Sequence, residues 1–136
     1  MKLKKYLRKM NREEFEEYLV SIDGVYDWKS LTSTNPSMFG VGEGWFGLLK
    51  NLIDELISLG WDRHMIQSKE KFGGLNFYIK EPTPEMQEVI ITYERLSYVI
   101  CEVCGEEGER RKGGWMKTLC DKHAEERENK LKTKEV

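Results

Sequence analysis

No stretch of the 136-residue chain approaches 18 uncharged apolar residues, which excludes a membrane-spanning helix. The opening MKLKKYLRKM has a basic start but neither an apolar core segment nor a small-residue cleavage site, so no secretory signal is expected. An excess of one charge is missing too: 22 Lys+Arg face 24 Asp+Glu, for a net charge of −2. That disfavours nonspecific duplex binding by the whole surface but leaves room for a local basic patch. Cysteine is scarce, and three residues cannot pair completely. Their spacing fits a metal and a reducing cytosol better than a disulfide framework, so a cytoplasmic protein is expected. Catalytic signatures are lacking as well. There is no P-loop, nucleophile elbow or HExxH, and only two histidines. Glu13-Glu14 and Glu16-Glu17 lie on a solvated helix face, and a hydrolase built from His64 and Glu70 has no further support. The chain is not expected to be an enzyme.

What is present builds a core: six Tyr, five Phe and four Trp in a chain that is 34% charged. Residues 1–12 carry six Lys/Arg and no acid, with Leu3, Leu7 and Met10 spaced for a short amphipathic helix. Asn11 and Glu14 have the spacing of a helix cap and its third-residue partner, with Phe15, Leu19 and Ile22 on one stripe. Residues 24–42 read as a long ordered loop, in which Trp28, Met38 and Phe39 are candidates for an interaction surface. A strong amphipathic helix is expected over 43–59, ending at Gly60. Residues 61–80 alternate around Gly73-Gly74 and read as a β-hairpin. Thr83 and Pro84 then start a helix that delivers the chain directly to Cys101.

Cys101-Glu-Val-Cys104 is followed after 15 residues by Cys120-Asp-Lys-His123. Two thiolates two residues apart can bite one tetrahedral ion, and Cys120 with His123 completes the set of ligands that Zn²⁺ prefers. Gly105 allows the tight turn behind the first pair. A knuckle, a hairpin ending in a strand at 115–119, and a helix from Cys120 together make a treble-clef arrangement. Four protein ligands leave no open position, so one structural zinc per chain is expected. The fold class that follows is α+β: helices packed on a small hairpin or sheet over residues 1–100, then a treble-clef-like zinc module over 101–136, rigidly coupled. That module has nine basic and nine acidic residues, which is not the balance of a DNA-reading finger.

With a turn at Gly73-Gly74, alternation puts Ile66, Ser68, Phe72, Leu75, Phe77 and Ile79 on the core face. Gln67, Lys69, Lys71, Asn76, Tyr78 and Lys80 fall on the other. Cations, amides and an aromatic ring on one patch suit an anionic, stackable ligand. Gly73 and Gly74 make a hairpin turn or let a phosphate approach the backbone. Arg63 can add a forked contact. Trp45, at a glycine-flanked helix start, either stacks on a base or begins the core stripe. Glu70 falls on the apolar face, at the sheet margin or paired with a cation such as Arg63.

The string Gly44-Trp45, then KEKFGGLNFY over 69–78, CEVCG over 101–105, Trp115, and TLCDKH over 118–123 resembles small proteins encoded by bacteriophages and prophages. The resemblance spans about residues 42–124. It implies an accessory role in blunting host defence, for example as an oligomeric sponge that sequesters a cyclic nucleotide signal. With the cationic hairpin face, the reading is a non-catalytic protein that binds a small anionic, nucleotide-like ligand, with no membrane partner. The alternative is a nucleic-acid- or host-protein-binding accessory protein using its zinc module and basic N-terminal arm. A purely structural subunit forming homo-oligomers is a further reading.

Overall fold

The computed structural model describes residues 8–134. The expected basic helix over 1–12 lies largely outside them, and residues 8–10 run without regular structure. Met10 packs against the core, and Lys9 pairs with Glu106. The expected cap holds at the first helix, α1 (Arg12–Ser21). The Asn11 side chain accepts from the Glu14 N–H at 2.8 Å, and the Glu14 carboxylate accepts from the Asn11 N–H at 2.9 Å. This reciprocal pair satisfies two donors that the helix itself cannot. Phe15, Tyr18 and Leu19 face inward, and the Phe15 ring stacks on Phe46 at 4.7 Å.

Residues 24–42 are not simply loop. Tyr26–Asp27 form a short strand, β1, and Pro36–Phe39 form one 3₁₀ turn. Two residues are too few to show alternation, so β1 had no sequence signal. Phe39 is fully buried and belongs to the core, not to an interaction surface, while Met38 stays exposed. The helix expected at 43–59 starts with a 3₁₀ turn at Glu43–Trp45 and continues as α2 (Phe46–Ser58). Its Phe46, Leu48, Leu49, Leu52, Ile53 and Leu56 are all buried, so it is the central helix of the core.

The hairpin consists of β2 (His64–Lys71) and β3 (Gly74–Ile79). β1 lies parallel on the other side of β2, giving the order β1-β2-β3. Two details differ from expectation. The turn residues are Phe72 and Gly73, at φ 53° and 84°, because Lys71 pairs with Gly74. A bulge between Met65 and Gln67 also inserts one residue. Met65 is therefore buried and Ile66 is exposed, while Phe72 leaves the core face for the turn and is 68% exposed.

Thr83 caps α3 (Pro84–Leu96), its hydroxyl accepting from the Met86 N–H at 3.2 Å. This helix and the 3₁₀ turn that follows it (Ser97–Val99) close the free edge of β3. The Leu75 N–H donates to the Ser97 hydroxyl at 2.8 Å, and the Phe77 N–H donates to the Glu94 carboxylate at 3.0 Å. A sheet edge that would otherwise template another strand is thus occupied by side chains.

The chain then enters the C-terminal module, with β4 (Glu109–Arg111) paired antiparallel to β5 (Lys117–Leu119), followed by α4 (Asp121–Lys134). The molecule is α+β, with its Cys/His cluster near the C-terminus. Packing is continuous across residue 100. The Trp45 indole N–H donates to Ile100 O at 2.8 Å, and the Gly44 N–H donates to Glu102 O at 2.8 Å. A side chain at Gly44 would start 2.1 Å from Cys101 O, so only glycine lets the start of the main helix lie against the knuckle.

Candidate metal centre and hairpin face

The four residues picked out by spacing converge. Cys101, Cys104 and Cys120 Sγ and a His123 ring nitrogen all lie within 4.8 Å of one another. Nδ1 of His123 is 3.2 Å from Cys120 Sγ and 3.7 Å from Cys101 Sγ, and the Cys104 and Cys120 sulfurs are 3.8 Å apart. The first pair sits on a knuckle closed by Gly105, at φ 81°, whose N–H donates to Cys101 O at 2.9 Å. The second pair brackets the first turn of α4, which brings residues three apart onto one side. Nδ1 faces the sulfurs, while Nε2 is 3.8 Å from the Glu126 carboxylate. A carboxylate behind the ring is the usual means of fixing the orientation of a metal-binding imidazole. Three sulfurs and one imidazole suit a borderline or soft ion.

Without the ion, burial pushes the Cys104 thiol up to about 11. Burial acts the same way at Cys120, but hydrogen bonds from the His123 backbone and ring outweigh it and bring that thiol down to about 7. Cys120 is therefore better prepared than Cys104 to meet a metal as a thiolate.

A polar network between hairpin and module was not foreseen. Lys117 lies 3.1 Å from the Glu70 carboxylate and 3.5 Å from that of Glu102. Glu102 also accepts from the Gly42 N–H at 3.0 Å, and Glu70 accepts from the Gly73 N–H at 2.8 Å. Burial raises the Glu102 carboxyl above its ordinary range despite these partners. Burial also opposes the charge of Lys117, but its two carboxylates outweigh this and raise its pKa. The one sequence signal was Glu70 on an apolar face, and its partner is Lys117 rather than Arg63. Gly42, Glu102, Lys117 and His123 border a groove of about 660 Å³ between the knuckle and α4.

The residues proposed for ligand contact divide into two groups. Lys69, Lys71, Asn76 and Tyr78 do share one face of the hairpin with Gln67. The register pairs Gln67 with Tyr78, Lys69 with Asn76, and Lys71 with Gly74. Among the described residues, neither Lys69 nor Lys71 has an ion-pair partner.

The other candidates are placed differently. Trp45 is fully buried and its indole N–H is taken by Ile100 O, so it cannot stack on a ligand. Gly73 and Gly74 are buried by the protein itself. Gly73 O accepts from the Thr118 hydroxyl at 2.5 Å, and a side chain at Gly74 would start 2.5 Å from the Tyr98 ring. The close approach these glycines permit is to the C-terminal half of the chain, not to a phosphate. Arg63 precedes β2, at the end opposite Lys71, where its carbonyl accepts from the Tyr26 N–H at 2.8 Å and its Nε is buried without a partner.

Among the described residues no helix is long and apolar enough to cross a membrane. No protein-family model, no curated protein and no solved structure matches the chain.

Proposed function

We propose that the chain is a zinc-stabilised, non-catalytic protein that binds a small anionic, nucleotide-like ligand on the outer face of the β2–β3 hairpin. One observation carries this reading: Lys69 and Lys71 stand beside Asn76 and Tyr78 on one face, with no carboxylate neutralising either cation among the described residues. Two unpaired ammonium groups two residues apart on a strand attract phosphate, and the amide and phenol beside them add hydrogen-bonding capacity. Zinc is the ion that suits three thiolates and one imidazole with no open position, a closed set that favours a structural role. Sequestration of a host signal in counter-defence is the setting implied by the phage-type string over 69–78 and the Cys/His pairs.

The test is calorimetric titration of the full zinc-loaded chain with ATP and with inorganic tripolyphosphate. Lys69→Ala with Lys71→Ala is expected to weaken both at least tenfold while leaving one zinc per chain. Unchanged affinities for both ligands would sink the site.

A further inference from the structure

We infer that the ligand carries an aromatic base, and that this base enters a cleft between the tips of the two hairpins, walled by Phe72 and Trp115. The inference rests on the hairpin-face reading above and adds to it the place where the base of the ligand is held. The cleft is about 300 Å³ and is lined by Glu70, Lys71, Phe72, Trp115 and Met116. Lys71 thus belongs both to the cationic face and to the cleft, so a phosphate on the one leaves its base within reach of the other.

Two features of the walls call for such a ligand. Trp115 is 83% exposed, the most exposed large apolar side chain among the described residues, and Phe72 is 68% exposed. Aromatic rings left in water on neighbouring tips contribute nothing to the core and are the usual anchors of a binding surface. Phe72 also sits at φ 53°, the first position of a two-residue hairpin turn. Asparagine or glycine fills that position without strain, and a phenyl ring does not. Neither packing nor turn chemistry explains a phenylalanine here, and strain of this kind gathers at functional positions.

The walls are also fixed in place. The Arg110 guanidinium donates twice to Phe72 O, at 3.1 and 2.6 Å, reaches Met116 Sδ at 3.5 Å and lies 4.7 Å above the Tyr98 ring. It ties one tip to the other before any ligand arrives, which lowers the entropy lost on binding. Glu70, the one acid in the cleft, is already engaged by Lys117 and the Gly73 N–H. A base with an attached phosphate matches stacking walls beside an unpaired cation. Both a free nucleotide and a single strand offer that chemistry.

The experiment titrates the full zinc-loaded chain with ATP, inorganic tripolyphosphate and an oligoadenylate of about ten nucleotides. Trp115→Ala and Phe72→Asn are the variants. The first removes an exposed side chain, and the second keeps the turn, since Asn-Gly suits its geometry. Each is expected to weaken ATP or oligoadenylate about tenfold and to leave tripolyphosphate unchanged. ATP binding that is tighter than tripolyphosphate binding and is weakened by both variants supports the base cleft with a free nucleotide; binding of oligoadenylate alone, weakened by both variants, keeps the cleft but replaces the small ligand proposed above with a strand. If ATP and tripolyphosphate bind equally and neither variant alters either, the cleft is refuted and the phosphate face stands. If none of the three binds, both readings fall.

Discussion

Phe72 holds a backbone conformation that costs a bulky L-residue free energy, and it recovers little of this by burial. Replacing it with asparagine removes that cost, because the Asn amide tolerates the left-handed region. Phe72→Asn is therefore expected to raise folding stability by about 1 kcal/mol, read as a higher urea midpoint with an unchanged slope. A variant that is more stable yet binds nucleotide less well would place Phe72 among residues kept for use rather than for folding. Loss of stability would mean that the ring makes packing contacts that its exposure does not suggest.

At the scale of elements, the edge of β3 rests on two side chains from the α3 region, and one of them titrates. Burial raises the Glu94 carboxyl above its ordinary range, against the opposing Phe77 N–H. Its folded pKa thus exceeds its unfolded one, and stability falls as pH climbs from the ordinary carboxyl value through the raised one. Glu94→Gln keeps an acceptor for Phe77 and loses the charge. It is expected to match the parent below about pH 4 and to exceed it in urea midpoint at pH 7. A parent that stays the more stable at pH 7 would show that the charged hydrogen bond outweighs desolvation.

The elements themselves were largely legible, for local reasons. The Asn11–Glu14 box, Thr83-Pro84 and the Cys/His spacing each act within a few residues, and each took the place expected of it. What the sequence hid was non-local. The bulge at Ile66 interrupts alternation at the far end of the hairpin from its turn, and the turn lies one residue earlier than expected, which places Gly74 against the Tyr98 ring, 24 positions along the chain. Trp45 had a core reading and a ligand reading, and its full burial with its indole N–H on Ile100 O, 55 positions away, decides for the core. The Lys117–Glu70–Glu102 network joins residues up to 47 positions apart and leaves no local trace.

For the whole molecule, these same contacts tie the Cys/His cluster to global stability. The knuckle touches the start of the main helix through Gly42 and Gly44, and β5 holds the hairpin tip through Lys117 and Thr118. Stripping the metal with a chelator is expected to lower one cooperative melting transition rather than to melt the C-terminal module alone. With free metal at about a thousand times its Kd, the ion contributes about 4 kcal/mol, or roughly 15 °C in Tm for a chain of this size. Cys104→Ser should reproduce the loss even with zinc present. Two separate transitions in calorimetry would show that the halves unfold independently.

The bond from Thr118 to Gly73 spans 45 residues, and this separation has a consequence for synthesis. A ribosome adds roughly 5–20 residues per second, so the hairpin tip leaves the exit tunnel several seconds before the strand that covers it. Through that interval Gly73 O lacks the Thr118 hydroxyl and Phe72 O lacks the Arg110 guanidinium that later hold the tip. The nascent chain can form much of its core early, but the cleft between the two hairpin tips is completed only when Trp115 and Met116 emerge, just ahead of Cys120 and His123.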